Sequence, residues 1–524
     1  MTVAEEGLPV EGTTPDASMA RIAATHKRGT SFAGDVLKLV SGTTLAQAIG
    51  MLITPILTRM YPPEAFGTLA LFTSITGILG VVACLRYELA IMLPETDEEA
   101  ANLLAVSLLA VVAITALTIP AITLGRPLVV GLLKAPDLGP YLWLVPVAVF
   151  FGGVFLATNH WNSRTRSFGR LSVARVISAT TTSGVRVGAG AMGHNTGGSL
   201  VGTAVLGPLL SSVALGAQIW RDDRGLFRRA IRWNSMWALL KRYGKFPLYS
   251  TWSSLLNTMS WQLPPFLLSY FFSQTVVGYY DLSNRLLHLP MSLIGGAIAQ
   301  VFFQRAAEAR TQGRLDEVVR GVYRRLVSVG MFPFIVLALT GREVFAVVLG
   351  AEWSVAGTYT QILSIWTFFW FVSSPLTHVF SVLERPDISL RLNIVIFITR
   401  FVTLAVGGAL RSVYLSLALF TLSGVVVYGY VNSLALSRAG VPFAFGLRTV
   451  VKQFCAVIPF MAVVVASKVL IPSPVIITVV SILALGANLI YVVWHDPQMR
   501  HIIAERGDPA LRRIAQYLDR NQAQ

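Results

Sequence analysis

Four arginines within long apolar stretches of this chain stand out: Arg175, Arg186, Arg285 and Arg400. A guanidinium stays charged and presents a planar fork of donors that fits two oxygens of a phosphate. Holding a charge at the centre of a bilayer costs at least about 2.5–3.5 kcal/mol, so such a group faces a wet interior or a partner. The four are candidate ligands for an anionic cargo. Each also has an ordinary reading. Asp281 lies one helical turn before Arg285 and can pair with it. Arg175 and Arg186 lie toward the two ends of one stretch, where long side chains snorkel. Arg400 sits mid-stretch, where few acids are available to it.

Three further groups can do chemistry. Asn257, Gln262 and Trp261 fall on one stretch and can meet sugar hydroxyls and sugar rings, although helix-to-helix bonding and packing use the same residues. Arg86 and Glu88 flank Tyr87 where the second stretch ends, and make a candidate gate or an interface anchor. His288 and His378 can titrate near neutral pH, which leaves coupling to H+ or Na+ open. Against catalysis, the chain has no HExxH, no GxSxG and no evident carboxylate pair. Its two cysteines, Cys84 and Cys455, have no metal-ligand spacing. We expect no catalytic residue, no cofactor and no bound metal.

The elements that must carry these residues are membrane helices. Apolar residues make up 54% of the 524 and charged ones 13%, and the mean hydropathy is +0.64, too apolar for a wetted surface. A helix needs about 20 mostly apolar residues to cross roughly 30 Å of hydrocarbon, and only helices or closed barrels satisfy every backbone group there. Fourteen stretches qualify: 36–58, 66–85, 100–124, 138–157, 171–192, 198–220, 248–270, 276–303, 318–340, 357–383, 388–410, 413–437, 449–470 and 474–494. The expected fold is all-α and polytopic.

Basic residues assign the two faces. The loops on one side hold only Arg59, Arg126, Lys134, Arg342 and Arg411, while most of the other basic residues lie in the opposite loops, in the tails or at span ends beside them. Cytoplasmic loops carry the Lys/Arg excess, so both termini are expected in the cytoplasm of a bacterial cell, under its inner membrane. The net charge of +16 is then a topology signal and argues for no nucleic-acid partner. Residues 1–34 contain no apolar run, so no cleavable signal is expected there. Residues 496–524 read as an amphipathic tail able to rest on membrane lipids.

The first hairpin recurs. The run TPILTRMYPPEAFGTLALFTSI from Thr54 parallels PPFLLSYFFSQTVVGYYDLSNR from Pro264, and Gly67 aligns with Gly278, Phe66 with Val277 and Leu71 with Leu282. Two six-span lobes of like orientation follow, 35–220 and 248–437, joined by a basic linker 221–247. Spans 438–495 are an appendage. Parallel repeats of this kind build transporters with the cargo path between the halves.

The segment from Gly42 through LTRMYPPEAFG to RYELAIMLP resembles the amino-terminal region of polysaccharide-transporter flippases, a family of the multidrug/oligosaccharidyl-lipid/polysaccharide exporter superfamily. FPLYSTWSSLLNTMSWQLPPFLLSYFF with VGYYDLSNRLLHLPMSLIGGAIAQVFFQRAAEA gives a second match covering the repeated hairpin. The resemblance implies a flippase with two lobes around a central cavity. It implies as cargo an oligosaccharide on undecaprenyl pyrophosphate, carried to the periplasmic leaflet for O-antigen, exopolysaccharide or capsule. Partners would be that lipid-linked oligosaccharide, a polysaccharide polymerase and a chain-length regulator. Arg285 gains most, because it lies within the matched SNRLLHLP. A peptidoglycan-precursor flippase and a multidrug antiporter of the same superfamily are the transporter alternatives; a membrane glycan polymerase or acyltransferase is the alternative of another class.

Overall fold

The computed structural model describes residues 32–291 and 296–495; the expected terminal tails lie almost wholly outside these. The described residues are helical with short connections, and contain no strand. We number the helices α1 (Phe32–Met60), α2 (Pro63–Val82), α3 (Asp97–Leu133), α4 (Val145–Arg164), α5 (Phe168–Ala191), α6 (Gly197–Ala230), α7 (Trp233–Arg242) and α8 (Thr251–Phe271). They continue as α9 (Gln274–Leu287), α10 (Gly296–Thr311), α11 (Leu315–Val348), α12 (Ser354–Leu376), α13 (Pro386–Ala409), α14 (Val413–Arg438), α15 (Phe443–Leu470) and α16 (Pro474–His495).

Every expected span coincides with a helix, and the eighth is divided between α9 and α10. Pro290 lies just past the end of α9: a proline removes a backbone donor and clashes with the preceding turn, and the regular helix is interrupted at His288. Among the described residues, ten helices or runs of adjoining helices are long and apolar enough to cross a membrane by composition alone. The four expected spans that fall short are α1, α5, α8 and the α9–α10 pair. These carry Thr43 and Gln47, Arg175 and Arg186, Asn257 and Gln262, and Asp281 and Arg285. Polar side chains on a spanning helix must turn toward protein or water.

Helix ends follow local chemistry. Pro63 opens α2 at a position where its missing N–H is no loss, and Glu64 complements the helix dipole. Thr96 caps α3 by accepting from Glu99 N at 3.3 Å, Ser273 caps α9 through Val276 N at 3.4 Å, and Ser412 caps α14 through Leu415 N at 3.3 Å. The short connections force neighbouring helices antiparallel. All the loops rich in Lys and Arg therefore share one side, here called the basic face.

Helices α1–α6 pack among themselves, as do α8–α14, while α15 and α16 pack on each other and on α11. A large apolar core runs through the second group, where small residues let helices approach. A Cβ on Gly341 or on Gly357 would overlap the other helix, so α11 and α12 cross almost backbone to backbone. Between the two groups the main bridge is α2, which packs along both α8 and α9.

Residues 221–247, expected as a basic linker, are largely helical. Helix α6 runs on to Ala230, and α7 turns Trp233 and Trp237 outward while burying Met236 and Leu239. With α3 it walls an apolar cleft of about 260 Å³ lined by Leu85, Tyr87, Leu109, Trp237 and their neighbours.

Candidate functional site

Helix α2 is bonded to the second helix group along its whole length, about 30 Å for 20 residues. At the end away from the basic face, Thr275 Oγ1 donates to Glu64 Oε1 at 2.7 Å. One turn further, a Cβ on Gly67 would overlap the Gln274 carbonyl, and a Cβ on Gly278 would overlap the Pro63 carbonyl. Midway, Ser74 Oγ donates to Gln262 Oε1 at 3.0 Å, and Gly77 leaves room for the same amide. Near the basic face, Arg86 donates to Ser254 Oγ at 2.6 Å. Gln262 and Arg86 are thus interhelical ties across the two groups. Asn257 is exposed on α8, between those two contacts in sequence.

Arg186 and Arg285 approach each other from opposite groups. Arg186 projects from α5, where its Nε donates to Thr203 Oγ1 at 2.7 Å on α6 and its carbonyl accepts from Tyr61 at 2.8 Å. Arg285 projects from α9, with its Nε 2.7 Å from Asp281 Oδ2 and its side chain 43% exposed. The two guanidiniums lie within electrostatic reach of each other. Among the described residues, the terminal nitrogens of both take no hydrogen-bond partner. Asp281 balances part of this positive charge, and an anion between the two guanidiniums would balance the rest. The apolar cluster of Tyr61, Phe66, Leu282 and Trp353 packs beside them, on the side away from the basic face.

Arg400 is held differently. It is 4% exposed, donates to the Ser260 carbonyl at 3.1 Å and to Tyr428 Oη at 3.0 Å, and lies 4.2 Å over the Trp261 ring. Trp366 and Phe420 complete an aromatic cage at 5.6 and 5.8 Å. Four helices, α8, α12, α13 and α14, therefore meet on one cation, and the space adjoining it is about 10 Å³, enough for a single water. Trp261 also packs on His288 and Trp370. Arg175 bonds to Thr43 on α1 at 2.6 Å, tying α5 to α1. His378 packs against Phe303.

Arg86 and Glu88 lie just beyond the end of α2. Leu85 and Arg86 both adopt left-handed backbone, at φ of 50° and 64°, a conformation that costs an ordinary residue roughly 1–3 kcal/mol. This sharp turn sends Glu88 into the protein, fully buried, while Arg86 stays 23% exposed. Arg86 Nη1 lies 3.5 Å from Glu88 Oε1, and neither carboxylate oxygen has a hydrogen bond of good geometry. Burial pushes the Glu88 carboxyl above its ordinary value, outweighing the lowering by its own backbone N–H and by Arg86.

The sequence does not single out Ser74, Ser254, Thr275 or Tyr428, the partners of these groups. The 211-residue repeat points to Thr275, the equivalent of Glu64; nothing local marks the other three. Among the described residues, no cluster of His, Cys, Asp or Glu is arranged to hold a metal ion.

Residues 56–357 match the model of a family described as polysaccharide biosynthesis protein. No curated protein sequence matches the chain. Among solved structures, the lipid II flippase MurJ in an inward closed conformation superposes at a TM-score of 0.67, with 10% identity, covering 87% of this chain and 98% of that one. An inward-facing multidrug resistance MATE family transporter of the MOP superfamily gives 0.56, with 15% identity over 83% and 98%. A MATE transporter from Vibrio cholerae gives 0.50, with 11% identity over 81% and 98%. These likenesses fix the fold: a polytopic membrane protein of the MurJ and MATE type.

Proposed function

Since the chain belongs to the polysaccharide biosynthesis protein family, we propose that it is a flippase moving an undecaprenyl-pyrophosphate-linked oligosaccharide from the cytoplasmic to the periplasmic leaflet. Its basic face is then cytoplasmic, and it works in the bacterial inner membrane in O-antigen, exopolysaccharide or capsule synthesis. The observation that carries this reading is the pair Arg186 and Arg285, one from each helix group, each tied through Nε and with its terminal nitrogens without a hydrogen-bond partner among the described residues.

A pyrophosphate joined to sugars cannot cross hydrocarbon bare. Stripping water from each hydroxyl costs several kcal/mol, and from the phosphates far more. Two guanidinium forks replace that water with charge-assisted bonds. The prenyl tail stays in lipid. An anion between the pair relieves their repulsion and draws the two helix groups together, which couples cargo to conformation. Gln262, Asn257 and Trp261 lie on α8 for contact with the sugars once the groups part. Arg400 uses both terminal nitrogens within the protein, and Arg175 ties α5 to α1 within one helix group, so the phosphate contacts are assigned to Arg186 and Arg285.

Lipid II is also a prenyl pyrophosphate, and the same pair would suit it; the family match favours the polysaccharide cargo. A multidrug antiporter reading has less support, because cationic cargo would be repelled by this pair. The test is surface-polymer export in cells carrying R186A or R285A at normal protein levels. Loss of export is expected, and normal export by both variants would reject the assignment.

A further inference from the structure

We propose that Glu88 is a proton-binding site whose charge state decides whether Arg86 reaches across to Ser254 and holds the two helix groups together at the basic face. The proposal rests on the flippase reading only in taking those groups to part on that side.

The geometry is that of a two-position arginine. The Arg86 guanidinium stands between a hydroxyl of the other helix group at 2.6 Å and a carboxylate of its own group at 3.5 Å. It bonds the first and only approaches the second. A carboxylate fully enclosed by protein, without a hydrogen bond of good geometry, is far costlier charged than neutral. The observed arrangement therefore suits a protonated Glu88, which makes little demand on Arg86. An ionised Glu88 would draw the guanidinium inward to a charge-assisted bond, and Ser254 would lose its donor. The consecutive left-handed residues Leu85 and Arg86 store backbone strain at the point that must swing.

The surroundings favour a single controlling group. On the same segment stand Arg86, Cys84 and Tyr87; Cys84 is buried with its thiol on the Gly153 carbonyl, and Tyr87 Oη donates to the Leu240 carbonyl. From α4 come His160, which Arg86 influences, and Arg164, which pairs with Asp97 at 3.0 Å. At the start of α3, Glu99 pairs with Arg242 at 3.6 Å, and Glu98 stands beside it. Lys245 precedes the turn Phe246–Ser250 that packs near Glu88. The ion pair Glu88 makes is with Arg86.

The test uses the full chain in lipid vesicles without cargo. Spin labels are placed through Glu95→Cys and Arg314→Cys, both exposed on the basic face, with Cys455→Ser to remove the exposed native thiol. The distance between labels is measured at about pH 4 and about pH 9, bracketing ordinary and burial-raised carboxylates. The wild-type distance should lengthen at the higher pH, and E88Q should stay short at both. S254A, which leaves Glu88 in place, should be long at both. A wild-type distance that ignores pH, or an E88Q or S254A distance that follows pH as wild type does, overturns the proposal. The cargo reading survives that result, just as the proton site survives normal export by R186A and R285A.

Discussion

Gly67 and Gly278 stand in equivalent positions of the two halves and meet each other's segment: a side chain on either would overlap a backbone carbonyl of the opposite one, Gln274 or Pro63. Pro63 and Gln274 are themselves equivalents, and so are Glu64 and Thr275, which bond across a separation of 211 residues. Contacts of this reciprocal kind arise when a two-fold axis passes between the partners. The approximate axis of the internal repeat thus runs between α2 and α9, at the end of the seam away from the basic face. Backbone meets backbone there because both partners lack a side chain.

G67A and G278A should each open that end, and to a similar degree. Overpacking at a closed helix contact costs about 1–3 kcal/mol. The check is labelling of Thr275→Cys by a membrane-impermeant thiol reagent, which should rise in both variants. G50A, with open space around the position, should leave labelling unchanged. Labelling that does not rise in G67A or G278A would refute the seam.

Tethering the same end should stop transport. A short bifunctional thiol reagent bridging Glu64→Cys and Thr275→Cys should block export, and cleavage of the bridge should restore it. Export continuing through the bridged protein would show that this end need not part.

Arg400 should prove a support of the fold. R400A leaves the Ser260 carbonyl and Tyr428 hydroxyl without their donor and hollows an aromatic cage, a loss of about 2–5 kcal/mol. Thermal unfolding of the purified protein should show a clear drop in midpoint for R400A and a smaller one for R400K. An unchanged midpoint would return Arg400 to the list of free cargo ligands.

The stability of the protein should depend on Glu88 in a defined direction. Burial raises its folded pKa above the ordinary value of 4.5, so the native state holds the proton longer than the unfolded chain does. Stability is then greatest below the unfolded value and declines as pH climbs through the window up to the folded one. E88Q should flatten this slope. Unfolding midpoints against pH check it, and a wild-type slope retained in E88Q would contradict it.

Spans, repeat and seam differ in how far sequence exposes them. Hydropathy marks the spans because each helix must bury its own backbone in lipid whatever its neighbours do. The pairing of Gly67 with Gly278 is readable because two copies of one hairpin keep the residue that their contact requires. The Arg400 cage is not readable, since its walls come from three other helices with no spacing in common. Helix α7 is legible in spacing but hidden by composition: Trp233, Met236, Trp237 and Leu240 recur with helical spacing inside what reads as a basic linker.

The account turns on a pyrophosphate held between Arg186 and Arg285. The direct measurement is protein-mediated flipping of a prenyl-pyrophosphate oligosaccharide in vesicles, read as the fraction of sugar accessible at the outer surface over time. Wild type should equilibrate the lipid between leaflets, and R186A/R285A should slow this at least about tenfold, the loss of about 1.4 kcal/mol or more of anion binding. Equal rates for the two proteins, or equal transport of a prenyl glycoside that lacks the pyrophosphate, would contradict it.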